Sequence, residues 1–175
     1  TKIPANMFSE YYYGSYAYVT SLTFEEGGVC ERIGERAFQG CSLTSITLPN
    51  SLKVIEDGAF SDCGGLKSVV IGNGVTTIGD YAFNGCTSLE SIEIADTVTS
   101  IGAVAFDYCT NLKEIVIPDS VTSIGYSAFA GSRPDTMIIK APTPPSLYTD
   151  AFTASIPICV IPCGTLAEYE ISEWK

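Results

Sequence analysis

The chain contains no histidine. That absence removes the most frequent general base, the Ser-His and Cys-His nucleophile pairs, and the most frequent metal ligand together. Basic residues are also scarce. With 9 against 20 acidic residues, the net charge of −11 repels phosphate backbones and anionic headgroups, so neither nucleic acid nor membrane insertion is expected. No apolar run approaches the length of a membrane-crossing helix. The first residues, TKIPANMFSE, lack the basic start and apolar centre of a secretory signal. Either the protein is cytosolic or a signal has been removed. There is no Asn-x-Ser/Thr acceptor and no Cys-x-x-Cys pair to begin a zinc site. Gly72-Asn73-Gly74 is followed by neither the lysine nor the helix start that a phosphate loop needs, and no spacing pairs two carboxylates as a glycosidase requires. No enzyme activity, cofactor, metal site or catalytic residue is expected.

What the chain has is repetition. Ala-Phe pairs fall at Ala37-Phe38, Ala59-Phe60, Ala82-Phe83, Ala105-Phe106, Ala128-Phe129 and Ala151-Phe152, 22 residues apart once and 23 apart four times. Such a fixed period means stacked units. Aligned on the Phe, a unit reads Ile-Gly-x-x-Ala-Phe-x-x-Cys-x-x-Leu-x-x-Ile-x-Ile, then a polar turn, then Val-Thr-x. Leu43, Leu66, Leu89 and Leu112 form one apolar column. Ile46, Val69, Ile92, Ile115 and Ile138 form the next, with Leu48, Ile71, Ile94 and Ile117 two residues on. Alternation at period two marks a strand with one buried face. Asn50, Asn73, Asp96 and Asp119 then mark turns, because short polar side chains bond nearby backbone; one oxygen ligand per coil is too few for calcium. A second short extended piece ends in Gly34, Gly79, Gly102 or Gly125, with Glu56 in that place once. The segment from Gly to Cys, such as DYAFNGC, is too short for an independent helix and reads as a single helical turn. No unit can bury its Phe, Leu and Ile alone, so neighbours share one continuous core.

These columns resemble the BspA-like leucine-rich repeats of cell-surface and secreted proteins of anaerobic bacteria and some protozoa. The resemblance covers Ile33 to Leu147, and VIPCGTLAEYEISEW, Val160 to Trp174, is similar to the segment that closes such arrays. It implies a right-handed solenoid that binds other macromolecules, displayed at the cell surface or secreted, with no shared catalytic residues. The expected fold class is α/β: one short strand per 23-residue coil on one face and short helical or extended segments on the other. A single domain is expected, with a degenerate N-terminal coil or cap over 1–32, regular repeats over 33–147, and a last coil with its cap over 148–175.

In the N-terminal coil, Met7-Phe8 stands for the Ala-Phe pair and Val19 to Phe24 for the strand, in a coil stretched to about 30 residues by an insertion. Tyr11, Tyr12, Tyr13, Tyr16 and Tyr18 lie between them, either capping the open core or forming an exposed aromatic patch. At the other end Ser132 replaces the Cys, Asp135 the Leu and Lys140 the second Ile, as if the core were ending. Lys140 to Leu147, with three prolines, reads as an elongated turn. Ile158 to Ile161 reads as a last strand and Leu166 to Trp174 as an amphipathic capping helix.

Cys41, Cys63, Cys86 and Cys109 recur three residues after the Phe and should stack as small buried side chains; disulfides between neighbouring coils are the alternative. The surface remains as the functional element. Thr47, Val70, Glu93, Val116 and Ile139, preceded by Thr23, form one outward row on the strand, and Ser21, Ser45, Ser68, Ser91 and Glu114 its neighbour. The expected function is a non-enzymatic module that binds a protein or glycan through this strand face or the Tyr-rich end. The alternative is a structural spacer or end domain of a larger surface protein.

Overall fold

From Arg32 onward each period of the sequence makes a coil that gives a strand to each of two parallel sheets. The computed structural model describes residues 1–9, 19–25, 27–148, 150–152 and 158–170. One sheet takes the short extended piece before the Gly column: β1 (Lys2–Ile3), β2 (Arg32–Ile33), β4 (Val54–Ile55), β6 (Thr77–Ile78), β8 (Ser100–Ile101), β10 (Ser123–Ile124) and β12 (Ser146–Leu147), in that spatial order. The other takes the alternating segment: β3 (Ser45–Thr47), β5 (Ser68–Val70), β7 (Ser91–Glu93), β9 (Glu114–Ile117), β11 (Thr136–Ile139) and β13 (Ile158–Val160). All pairings are parallel and join one coil to the next. Among the described residues one helix occurs, α1 (Leu166–Glu170), whose Leu166 is exposed. The architecture is a β-solenoid, not the α/β arrangement expected.

The expected helical turn is absent for a backbone reason. The residue before each Ala-Phe pair has a left-handed φ: Asn6, Arg36, Gly58, Tyr81, Val104, Ser127 and Asp150, all between 50° and 61°. A left-handed residue cannot continue a right-handed helix. Alternate N–H groups of the segment are spent between coils instead. Tyr81 and Phe83 donate to the Ala103 and Ala105 carbonyls of the next coil, both at 2.8 Å, while Asn84 and Cys86 close i→i+3 turns on Tyr81 and Phe83. The turn side is thus a third backbone ladder.

The core is a set of columns. Phe38, Phe60, Phe83, Phe106 and Phe129 are fully buried, and from Phe8 to Phe152 successive rings stack with centroids 5.1–5.4 Å apart and planes within 15°. Each stacked pair contributes about 0.5–1.5 kcal/mol beyond its burial. Met7-Phe8 therefore does stand for the Ala-Phe pair, and the pairing of Ile3 with Ile33 gives the first coil its expected length. Its second expected strand does not form: residues 19–25 carry no strand, and among the described residues β3 is the edge of the six-stranded sheet. The turn column holds as expected, with Leu52, Val75, Val98 and Val121 donating back to residues 49, 72, 95 and 118. Gly102 is required by closeness: a Cβ there would lie 2.5 Å from the Gly79 carbonyl carbon.

The late coils stay in phase, contrary to the reading that the core ends. Met137 pairs with Ile115 and Ile139 with Ile117, so the coil is one residue shorter before its strand. Pro134, not Asp135, occupies the Leu column and is buried. A slip of one residue exchanges the faces of a strand. Ile139, expected to point outward, is accordingly 1% exposed, and Ile138 takes the outward place.

Candidate functional site: the outer face of the six-stranded sheet

On the six-stranded sheet every second side chain points away from the core, and register aligns these into two rows. Ser45, Ser68, Ser91, Glu114 and Thr136 are opposite one another across β3, β5, β7, β9 and β11. Beside them run Thr47, Val70, Glu93, Val116 and, in place of Ile139, Ile138. Neighbours in a row stand about 4.8 Å apart, one strand spacing. Thr47, Val70 and Glu93 are exposed, and Val116 and Ile138 are half-buried. Short hydroxyl side chains give one row low relief except at Glu114, and branched apolar ones give the other a hydrophobic stripe interrupted by Glu93. The ion pairs Lys113–Glu90 at 3.2 Å and Lys140–Asp96 at 3.4 Å are exposed, and pairs of that kind add little stability.

The expected aromatic patch, Tyr11, Tyr12, Tyr13, Tyr16 and Tyr18, lies outside the described residues. Other tyrosines stand free on the turn side. Tyr81, expected to be exposed, is so, and Tyr108, Tyr126 and Tyr148 join it, each more than half exposed. These three carried a signal that went unused: they occupy positions outside every apolar column, so the stacking that buries Phe leaves them in solvent.

The cysteine column is held by hydrogen bonds. The Sγ atoms of Cys41, Cys63, Cys86 and Cys109 donate to the carbonyls of Phe8, Phe38, Phe60 and Phe83, at 3.1–3.3 Å. All four are buried, and none is in a disulfide. Ser132 continues the column: its Oγ donates to the Phe106 carbonyl and accepts from the Cys109 N–H at 3.0 Å. Burial pushes the Cys63 and Cys86 thiols well up and that of Cys109 to about 12, so these sulfurs are not poised as nucleophiles.

Near the N-terminal end Glu56 joins three coils. Its carboxylate meets Lys2 and Arg32, each at 2.8 Å, and accepts from the Glu35 N–H at 3.0 Å. Partial burial raises the pKa of this carboxyl, but the bonds from Lys2, Arg32 and the Glu35 N–H outweigh it and leave it below the ordinary glutamate value.

Two laddered sheets, a turn ladder and a continuous ring stack define a leucine-rich-repeat solenoid. The chain belongs to the BspA-type leucine-rich repeat family, whose repeat region matches residues 1–158 in six copies. It is similar to a leucine-rich repeat protein of T. pallidum, with 30% identity and a TM-score of 0.61, over 67% of this chain and 56% of that one. A leucine-rich repeat protein from Bacteroides ovatus aligns over 93% of this chain and 52% of its own, with 23% identity and a TM-score of 0.53, a likeness of fold. A leucine-rich cell surface protein from Faecalibacterium prausnitzii aligns over 79% and 45%, with 27% identity and a TM-score of 0.50. The chain thus spans about half the length of these relatives. None of the curated proteins matches it. Among the described residues no helix is long and apolar enough to cross a membrane, and no three metal-ligating side chains converge.

Proposed function

We propose that the chain is a non-enzymatic binding module, secreted or displayed at a cell surface, that engages a protein or glycan through the outer face of its six-stranded sheet. The observation supporting this reading is the low-relief row of Ser45, Ser68, Ser91 and Thr136, broken by Glu114, beside the stripe of Val70, Val116 and Ile138, broken by Glu93, on an extended array. Solenoids use such continuous faces for contact. Surface display is supported by the relative described as a cell surface protein.

The test is capture from an array of extracellular proteins and glycans. Val116→Lys should keep the fold, because the side chain lies on the outer row, and should weaken capture by about 1–2 kcal/mol, roughly tenfold. A second reading rests on the exposed Tyr126 and Tyr148 of the turn side, since tyrosine offers a flat face and a hydroxyl together. Tyr126→Ser with Tyr148→Ser would then abolish capture while Val116→Lys left it intact. Loss in Tyr12→Ser with Tyr13→Ser alone would move the site to the N-terminal end. Capture unchanged in all three would favour the spacer.

A further inference from the structure

Among the described residues β3 ends the six-stranded sheet with no strand beyond it, and beside it lies a cleft of about 650 Å³. One wall is β3, and the other is formed by Leu22 to Glu25 with Gly27 and Gly28 of the first coil. The volume falls within the range of pockets that hold ligands, about 300–1,000 Å³.

Both walls present backbone groups without partners. Along β3 the Thr44 carbonyl accepts from Lys67 N–H, and Leu48 N–H donates to the Val70 carbonyl. Alternate residues of a parallel strand bond to opposite sides, so Thr44, Ile46 and Leu48 serve β5, and Ser45 and Thr47 turn their N–H and C=O toward the cleft. Among the described residues neither makes a backbone hydrogen bond on that side. Leu22, Thr23 and Phe24 of the facing wall likewise make none. Everywhere else in this sheet, the groups corresponding to those of Ser45 and Thr47 meet a parallel strand of the preceding coil.

We propose that this cleft takes up an extended peptide, which adds to β3 as a further strand. Unpaired edge groups recognise backbone in that way. The lining specifies the peptide. Leu22 and Phe24 pack against the core, whereas Thr23, Ser45 and Thr47 are exposed, so one face of the incoming strand meets apolar surface and the other meets solvent. Its side chains alternate apolar and polar accordingly. Glu25 also lines the cleft and has no ion pair among the described residues, and the chain carries a net charge of −11. A cationic residue in the peptide answers both. This site adjoins the outer sheet face at Ser45 and Thr47 but uses their edge backbone groups rather than the outward side chains of that face.

The experiment is selection from a phage-displayed library of linear peptides of about eight residues, longer than a typical strand, on the full chain. Alternating sequences with at least one Lys or Arg should be enriched. A peptide so selected, made synthetically, should slow exchange of the Ser45 and Thr47 amides at least about tenfold. Thr47→Pro removes the donor that faces the cleft and leaves the ladder to β5, so it should weaken capture by about tenfold or more. Glu25→Lys, at an exposed position, should weaken it in a protein whose fold is unaltered. Val116→Lys should leave peptide capture unchanged, which separates this site from the outer face. No enrichment, equal capture by Glu25→Lys and Thr47→Pro, or a Thr47 amide already protected in the free protein would overturn the proposal; the last result would mean that the first coil closes onto β3 by itself.

Discussion

The first coil and the coils after it share two of three ladders and differ in the third. β1 pairs with β2, and Phe8 stacks on Phe38 at 5.3 Å with its N–H on the Ala37 carbonyl. Those contacts repeat what every later coil does. Yet the described residues of the first coil give no strand to the six-stranded sheet. In the later coils the strand centre follows the Phe by seven to nine residues, as Ile46 follows Phe38 by eight and Val69 follows Phe60 by nine, whereas Leu22 follows Phe8 by fourteen. The three ladders are therefore separable: an insertion between ring and strand removes one and leaves the other two.

The largest test of that difference is in the ring stack. Phe83→Ala, between rings on both sides, should lower stability by about 3–5 kcal/mol, and Phe8→Ala, at the half-buried end, by less than half of that, both read from urea midpoints. Equal losses would mean that the first coil is as integral as the rest. Next, Gly102→Ala forces a Cβ into the Gly79 backbone and should cost about 1–3 kcal/mol, with amide protection falling first in β6 and β8. Ser132→Ala should cost about 1–2 kcal/mol by stranding the Cys109 N–H, and Ser132→Cys should recover most of it. Val104 is β-branched at φ 58°, where asparagine is better tolerated; Val104→Asn should raise stability by about 0.5 kcal/mol.

The smallest effect concerns Glu56, which ties the first coil to the next two. Its pKa in the fold lies below the ordinary value of 4.5. Its contribution is therefore full above that value and is lost as pH falls through the folded-state pKa. Amides of β1 should lose protection in acid before those of β8 do, and Glu56→Gln should remove the difference. Simultaneous loss in both strands would show that the carboxylate does not hold the first coil separately.

The columns were legible because six in-phase copies leave few ways to assign inside and outside: Phe38 to Phe129, Leu43 to Leu112, and the Cys column are all buried as expected. Three features were not legible. Left-handed residues as different as Arg36, Tyr81 and Val104 share no residue type, so the sequence concealed the backbone feature that excludes a helical turn. Counting forward from Ser132 placed Ile139 outside, because a deletion before the strand shows only in its pairing with β9. The same count took Ser132 for the end of a column that it extends, since a hydroxyl supplies the same short donor as a thiol. For the candidate site, four of the five outward residues were placed correctly, and the free edge of β3 was hidden because Val19 to Phe24 alternates like a strand without pairing as one.

The backbone bonds that join coils all lie along the axis of the stack. Tension applied along that axis therefore opens them as a zipper opens, one coil at a time from an end, and does not load them together as pulling a strand pair in shear would. Each 23-residue coil that detaches adds about 80 Å of chain, at roughly 3.3–3.6 Å per residue. Under such a pull the array lengthens in nearly equal steps at low force, and the coils still stacked keep their surfaces in register until their own turn comes.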